Sequence, residues 1–317
     1  MAELRKISSS PHGRHEDTTS GIMLDVIIAL LPTTIMGIYN FGISAAILIL
    51  VCIISCVGSE WLFQYFTRRK VSIRDLSAVV TGLLLALNLP STLPWWMAVL
   101  GSVFAIIIVK QLFGGLGQNF VNPALAARCF LLLSFAKQMT NFTYDAVTTA
   151  TPLAVLKTGG EVDVLRMFMG SIPGTIGETS AAALLIGGAY LLVKRVIDFR
   201  IPLAYIGSFA VCIMIYALAS GRGFDVSFLA AHICGGGLLL GAIFMATDYV
   251  TSPITAKGRW IYGVILGILT FVLRSPWNMT TAAEGVSYSI LCGNLLVPII
   301  ERFTAPKSFG KGAVKHE

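Results

Sequence analysis

Charge is scarce in this chain. Only 12% of its 317 residues are Asp, Glu, Lys or Arg, about half the share of a soluble domain. With a mean hydropathy of +0.80, most of the surface must face lipid or other apolar helices. Histidine is scarcer still, and none lies between His15 and His232. Six cysteines are spread nearly one per apolar run, at 52, 56, 129, 212, 234 and 292; none forms a C-x-x-C, and only Cys52 and Cys56 share a helix face. Metal and cluster sites need converging thiolates, so these read as small core residues. A G-x-G-x-x-G following a strand is missing, which removes the dinucleotide fingerprint. The polar first twenty residues lack the apolar core and cleavage site of a signal peptide. The net charge of +7 would suggest nucleic acid in a soluble protein, but here it fits the positive-inside bias of membrane proteins, and nucleic-acid binding is disfavoured.

What remains is an all-α integral membrane protein of about ten transmembrane helices. The apolar segments run near 21–39, 43–66, 76–89, 95–113, 121–135, 181–193, 201–219, 227–246, 260–273 and 285–300. They are preceded by a polar arm (1–20) and followed by a tail (303–317), with a transmembrane domain between (21–302). A long loop, 136–180, separates segments five and six. An even number of spans puts both ends on one side. With both ends cytoplasmic, 17 Lys and Arg fall inside and five outside, with Arg128 within segment five; this places the long loop on the outer face. Thr81-Gly-Leu-Leu-Leu, a break and a Trp-led segment are echoed about 155 residues later by Gly236-Gly-Leu-Leu-Leu, the break Asp248 to Pro253, and Trp260. Five spans per copy make the repeats inverted, an arrangement that places binding sites near the repeat interface.

Three polar stretches carry chemical interest. Asp145-Ala-Val-Thr-Thr-Ala-Thr151-Pro152 lies in the long loop; Pro152 disfavours a helical Thr151, so its hydroxyl is expected in extended backbone. No histidine is near enough in sequence to make it a nucleophile, and a plain Ser/Thr turn is the alternative. Gly114-Gly-Leu-Gly-Gln-Asn119-Phe-Val-Asn122-Pro-Ala reads as an Asn-capped helix start with Pro123 at its first position. That leaves Asn119 and the glycines unexplained, and irregular backbone in a membrane must be buried or line a cavity. Gly170 to Ser180, with Gly177 and Glu178, is either an ordinary capped helix entry or a phosphate cradle of backbone amides. Among the few acids at the membrane, Asp25, Glu60, Asp75, Asp248 and Glu284, the pair Glu60 and Asp248 falls toward the cytoplasmic side. Each marks an ion path or an ion pair with Lys or Arg.

The run ending in Thr151 resembles the flavin-attachment motif D-x-x-S/T-G/T-A-T of the D subunit of Rnf complexes and the B subunit of the sodium-translocating NADH:quinone oxidoreductase. In those families a flavin transferase joins FMN through its phosphate to the last threonine. G-x-N-x-x-N-P-A occurs in both families, and in the quinone-reductase relatives it lies by a bound riboflavin. Asp248-Tyr-Val-Thr-Ser resembles their A-T-D-x-V/T-S segment. The resemblance spans residues 21 to 302, and the short N-terminal arm favours the Rnf branch. It implies a membrane electron carrier in the prokaryotic inner membrane, with covalent FMN on Thr151. Asn119 and Asn122 would hold a second flavin, riboflavin or another, and Gly177 and Glu178 would lie near the tethered phosphate. The partners it implies are the ferredoxin- and NAD-reactive subunits, a second flavin-bearing subunit, other membrane subunits and the transferase. The overall activity would be electron transfer between ferredoxin and NAD coupled to sodium or proton translocation. No catalytic side chain and no metal are expected in this chain, because the chemistry would belong to the flavins. A quinone-reductase B subunit, and a small-solute channel or transporter with an inverted repeat, are the alternatives.

Overall fold

A computed structural model describes residues 18–69, 71–144, 147–148, 151–157, 160, 162–170, 172–221, 225–274 and 285–306. Most of the N-terminal arm and tail, together with Asp145, Thr149, Ala150 and Glu284, lie outside the described residues.

Each apolar segment of the sequence holds a helix: α1 (Thr19–Phe41), α2 (Ile43–Phe66), α3 (Ser77–Leu87), α4 (Trp95–Gln111), α5 (Pro123–Ser134), α6 (Ala181–Val193), α7 (Arg200–Ala219), α8 (Val226–Cys234) with α9 (Leu238–Met245), α10 (Ala256–Arg274) and α11 (Gly285–Thr304). Five of them, α1, α2, α7, α10 and α11, are long and apolar enough to cross a bilayer, and α8 with α9 makes a sixth bent by 60°. The chain is thus a multi-pass helical membrane protein. The helices α3, α4, α5 and α6 are shorter than a full span, against the roughly 20 residues that a bilayer core requires.

Local chemistry sets the boundaries. Thr18 caps α1 by accepting from the Gly21 amide at 3.2 Å, Ser180 caps α6 through Ala183, and Asp225 caps α8 through Ser227 and Phe228; each satisfies amides that a helix start leaves open. Segment eight, expected as one helix, is broken. Gly236 and Gly237 adopt left-handed φ of 65° and 69°, which ends α8 and restarts the chain as α9. The second half of α4, from Phe104, and the end of α9, from Gly241, are wound as π-helix.

Packing is close where side chains are small. α10 lies against α7 with Gly263 and Gly267 at the contact, a four-residue spacing of the kind that lets membrane helices approach. A Cβ on Gly267 would sit 2.7 Å from the Tyr205 carbonyl oxygen. A continuous apolar core joins both halves of the chain. The cysteines divide: Cys52, Cys56 and Cys129 are buried, Cys212 and Cys234 are half-buried, and Cys292 is exposed. The expectation of core cysteines therefore fails for Cys292, which sits on an outward face of α11. In the long loop, Thr143–Tyr144 pairs antiparallel with Val147–Thr148, just ahead of Thr151.

Candidate functional site

α1 measures the molecule from end to end. Its first turns contribute Ile22, Met23 and Val26 to a cavity of about 110 Å³, while near its other end Asn40 donates to the Gly170 carbonyl at 2.8 Å. From Met23 to Asn40 the helix rises about 25 Å at 1.5 Å per residue. The cavity and the 136–180 loop thus lie at opposite ends of the bundle.

The cavity gathers several of the sequence candidates. Asn119, Asn122 and Asp248 all line it, with Ser77 and Thr81 of α3, Lys110 of α4 and Phe244 of α9. Both π-wound stretches contribute a wall residue, and the wider turn is what re-aims side chains in such bulges. Asn122 is first a helix cap: its Oδ1 accepts from Ala124 and Leu125 at 3.1 and 3.3 Å, and its Nδ2 reaches the Met245 carbonyl at 3.4 Å. Asn119 spends its Nδ2 on the Val121 carbonyl at 3.1 Å, which leaves its Oδ1 to accept from a ligand.

Glu60 stands one layer behind this cavity. Its carboxylate receives Lys110 Nζ at 2.9 Å and Gln111 Nε2 at 2.6 Å, and Lys110 also donates to Ser77 Oγ at 2.6 Å. Glu60 is fully buried, so a cation partner is what makes its ionised form tolerable there. Asp248 differs. Its carboxylate accepts only from the Val250 amide and the Thr251 hydroxyl, at 3.4 and 3.3 Å, and among the described residues no Lys or Arg pairs with it. Among the described residues Glu60 has a cation partner and Asp248 has none.

Thr151 lies at the other end, half-buried in a narrow cleft with Pro152, Leu153, Pro173, Gly174, Glu178, Gly235 and Gly236. The helix that follows it begins at Pro152, so Thr151 stays outside the helix. Glu178 is drawn into this cleft and is held by Arg128 of α5 at 3.1 Å, which also donates to Asn88 Oδ1 at 2.7 Å. Gly177 does not offer its amide, which donates to the Leu87 carbonyl at 2.8 Å; a Cβ there would meet that same carbonyl at 3.0 Å. Its role is close packing on α3. Arg274 completes the surroundings, donating to the carbonyls of His232 and Gly236 at the break between α8 and α9.

The sequence alone assigns no role to Lys110, Arg128, Asn88 or Arg274. The available signal is a charged residue within an apolar run, which in a membrane marks a functional or paired site. Only their partners, such as Glu60 for Lys110 and Glu178 for Arg128, each 50 positions away, tell which.

A multi-pass helical membrane protein with a largely apolar cavity carrying a few polar groups at one end and a threonine cleft at the other is the class defined by these features. The chain belongs to the NQR2, RnfD, RnfE family, which matches residues 6–310. It is 49% identical to the D subunit of the Na(+)-translocating ferredoxin:NAD(+) oxidoreductase complex of Acetobacterium woodii, over 98% of this chain and 97% of that protein. It is 41% identical to the D subunit of the proton-translocating ferredoxin:NAD(+) oxidoreductase complex of Clostridium ljungdahlii, over 96% of each. With the D subunit of the ion-translocating oxidoreductase complex of Stutzerimonas stutzeri it shares 39% identity over 92% of each.

Proposed function

We propose that this chain is the electron-carrying D subunit, embedded in the membrane, of an ion-translocating ferredoxin:NAD oxidoreductase complex, with FMN joined through its phosphate to Thr151 and a second flavin at Asn119 and Asn122. The observation that carries the reading is the placement of Thr151 and the two asparagines at opposite ends of α1. Two redox stations held there would face opposite sides of the membrane.

The flavins supply the one-electron chemistry, and the chain supplies position and polarity. Thr151 presents an acceptor oxygen outside any helix. The nearby Glu178 carboxylate is engaged by Arg128, and Arg274 brings a second guanidinium to Gly236 in the cleft wall. Among the described residues the cleft is therefore bordered by two guanidiniums against one carboxylate, a balance that suits an attached phosphate. At the cavity, Asn119 Oδ1 would accept and Asn122 Nδ2 would donate, matching the two kinds of polar edge on a flavin ring. A cavity of about 150 Å³ holds benzene, so a three-ring ligand needs more room than the volume of about 110 Å³ found here.

Arg69, Lys194, Arg200 and Arg259 cluster at the cavity end of the bundle through Gln111, Asp25 and Asp198, which supports a cytoplasmic cavity and an outer Thr151. The inverted five-segment repeat is supported by α3 and α9, short helices that both border the cavity. Each is followed by a break and a helix that carries Trp in its first turns, at Trp95 and Trp260. Complex partners would supply the ferredoxin and NAD steps, and Asp248 is proposed on the ion's entry route, with the Glu60–Lys110 pair behind it.

Mass spectrometry of the peptide covering residues 138–157, from the native assembly, tests the reading. The expected result is the added mass of one FMN on Thr151, with fluorescence of the denatured band lost in Thr151→Ala. An unmodified peptide from the native complex overturns it.

A further inference from the structure

A second, larger pocket of about 530 Å³ opens beside the cavity, at the connection from α6 to α7. Its polar lining includes Arg195, Asp198, Ser252 and Arg259, and its apolar rim includes Leu192 and Phe199, which are 41% and 52% exposed. Asp198 is already taken, paired with Arg200 at 3.1 Å and Arg259 at 2.5 Å. Among the described residues the Arg195 guanidinium has no hydrogen bond or ion pair, and neither does the Ser252 hydroxyl. The pocket thus carries uncompensated positive charge and unused donors, with lipid-facing apolar side chains at its lip.

Arg195 is an unexpected choice at its position. α6 ends in a Schellman arrangement: Val196 donates its amide to the Leu191 carbonyl at 2.9 Å, and Arg195 donates to Leu192 at 3.0 Å. The residue between must be left-handed, and Arg195 has φ of 57°. Glycine is the low-cost residue there, and a side chain is strained. A favourable interaction with the helix dipole does not account for it, since Lys194, one residue earlier, already offers a cation at that terminus. Arg68 takes the same left-handed position after α2, with φ of 53°, so what singles out Arg195 is its place on the pocket wall with an unpaired guanidinium.

We propose that this pocket binds the phosphate headgroup of an anionic phospholipid, with Arg195, Arg259 and Ser252 as donors and the acyl chains lying over Leu192 and Phe199. Basic pockets between transmembrane helices suit anionic headgroups. A zwitterionic headgroup would set its own cation against the excess guanidinium charge.

Arg195→Gly provides a clean test, because glycine satisfies the left-handed cap and the fold should be kept or strengthened. The full chain would be reconstituted in nanodiscs of equal phosphatidylglycerol and phosphatidylcholine, and retained lipid counted by native mass spectrometry after gentle release. The expected result is preferential retention of one phosphatidylglycerol by the native chain and at least a tenfold loss of it in Arg195→Gly. Arg68→Gly, a change at the equivalent left-handed position after α2 (φ 53°) and outside the pocket, should leave retention unchanged. Equal retention of the two lipids, or no loss in Arg195→Gly, overturns the proposal. Displacement of the lipid by millimolar inorganic phosphate would assign the pocket to a free anion and overturn it as well.

Discussion

Lys110 Nζ lies 2.9 Å from Glu60 Oε1, with the two side chains 3% and 1% exposed. They come from α4 and α2, so the pair ties two helices together directly behind the cavity wall. Removing one partner of such a buried pair typically costs about 3–5 kcal/mol, since the other charge is left unmatched. Lys110→Met should therefore lower the midpoint of unfolding in mixed detergent sharply. Adding Glu60→Gln to it should recover most of the loss, and a double-mutant cycle measures the coupling. Additive losses would mean that Glu60 is not charged against Lys110.

Asp248 makes the contrasting case, a carboxylate on the cavity wall that no Lys or Arg among the described residues pairs with. Asp248→Asn should abolish ion-coupled turnover in vesicles carrying the whole complex, while the flavin mass on Thr151 stays. Sodium or proton transport at the native rate would remove Asp248 from the ion route. The two readouts are separable because Asp248 lines the cavity near the start of α1 and Thr151 belongs to the loop that meets its end.

Gly267 on α10 touches the backbone of α7 at Tyr205, where an added Cβ would fall 2.7 Å from the carbonyl oxygen. Gly267→Ala must push the helices apart and disturb the neighbouring bonds of the Tyr205 hydroxyl to Thr270 and Ser289, at 2.6 and 3.1 Å. Overpacking of this kind costs about 1–3 kcal/mol, so thermal stability should fall measurably. Gly58→Ala, inside α2 at a position with open space around it, should not lower stability, since alanine is the better helix former.

Some of this is readable in the sequence, and the rest is hidden for definite reasons. Apolar runs locate α1 to α11, because a lipid-facing helix must be apolar along its whole length, but not the short helices Pro152–Lys157 and Val164–Met169 within the long loop. The cap at Asn122 is visible because Pro123 follows it, and the cap geometry is local. The break after Cys234 is not: apolar composition continues straight through Gly235 to Gly237, and only the backbone angles show that two of these residues turn the chain. Glu60 is legible as a costly charge, but its choice of Lys110 depends on how α2 and α4 pack, which no local pattern encodes. Gly177 has the look of a phosphate-binding amide because it sits in a glycine-rich entry, yet its amide is used by Leu87, a contact set by the return of the long loop onto α3.

Asp198 gives the last test, in pH. Partial burial pushes its carboxyl up, but the Arg200 amide and the guanidiniums of Arg259 and Arg200 more than offset this, so it titrates below its ordinary range. The folded state therefore binds that proton less readily than the unfolded chain, and the contribution to stability is complete at neutral pH. It fades as pH falls below the ordinary carboxylate value of about 4 and is gone once the lowered folded value is passed. Asp198→Asn should lower stability at pH 7, and the gap from the native chain should close as the buffer is taken toward about pH 3. The side chain is 20% exposed, so added salt should narrow the gap too. A gap that is constant with pH would mean that Asp198 contributes by packing or neutral hydrogen bonding, and that the guanidiniums of Arg200 and Arg259 do not depend on its charge.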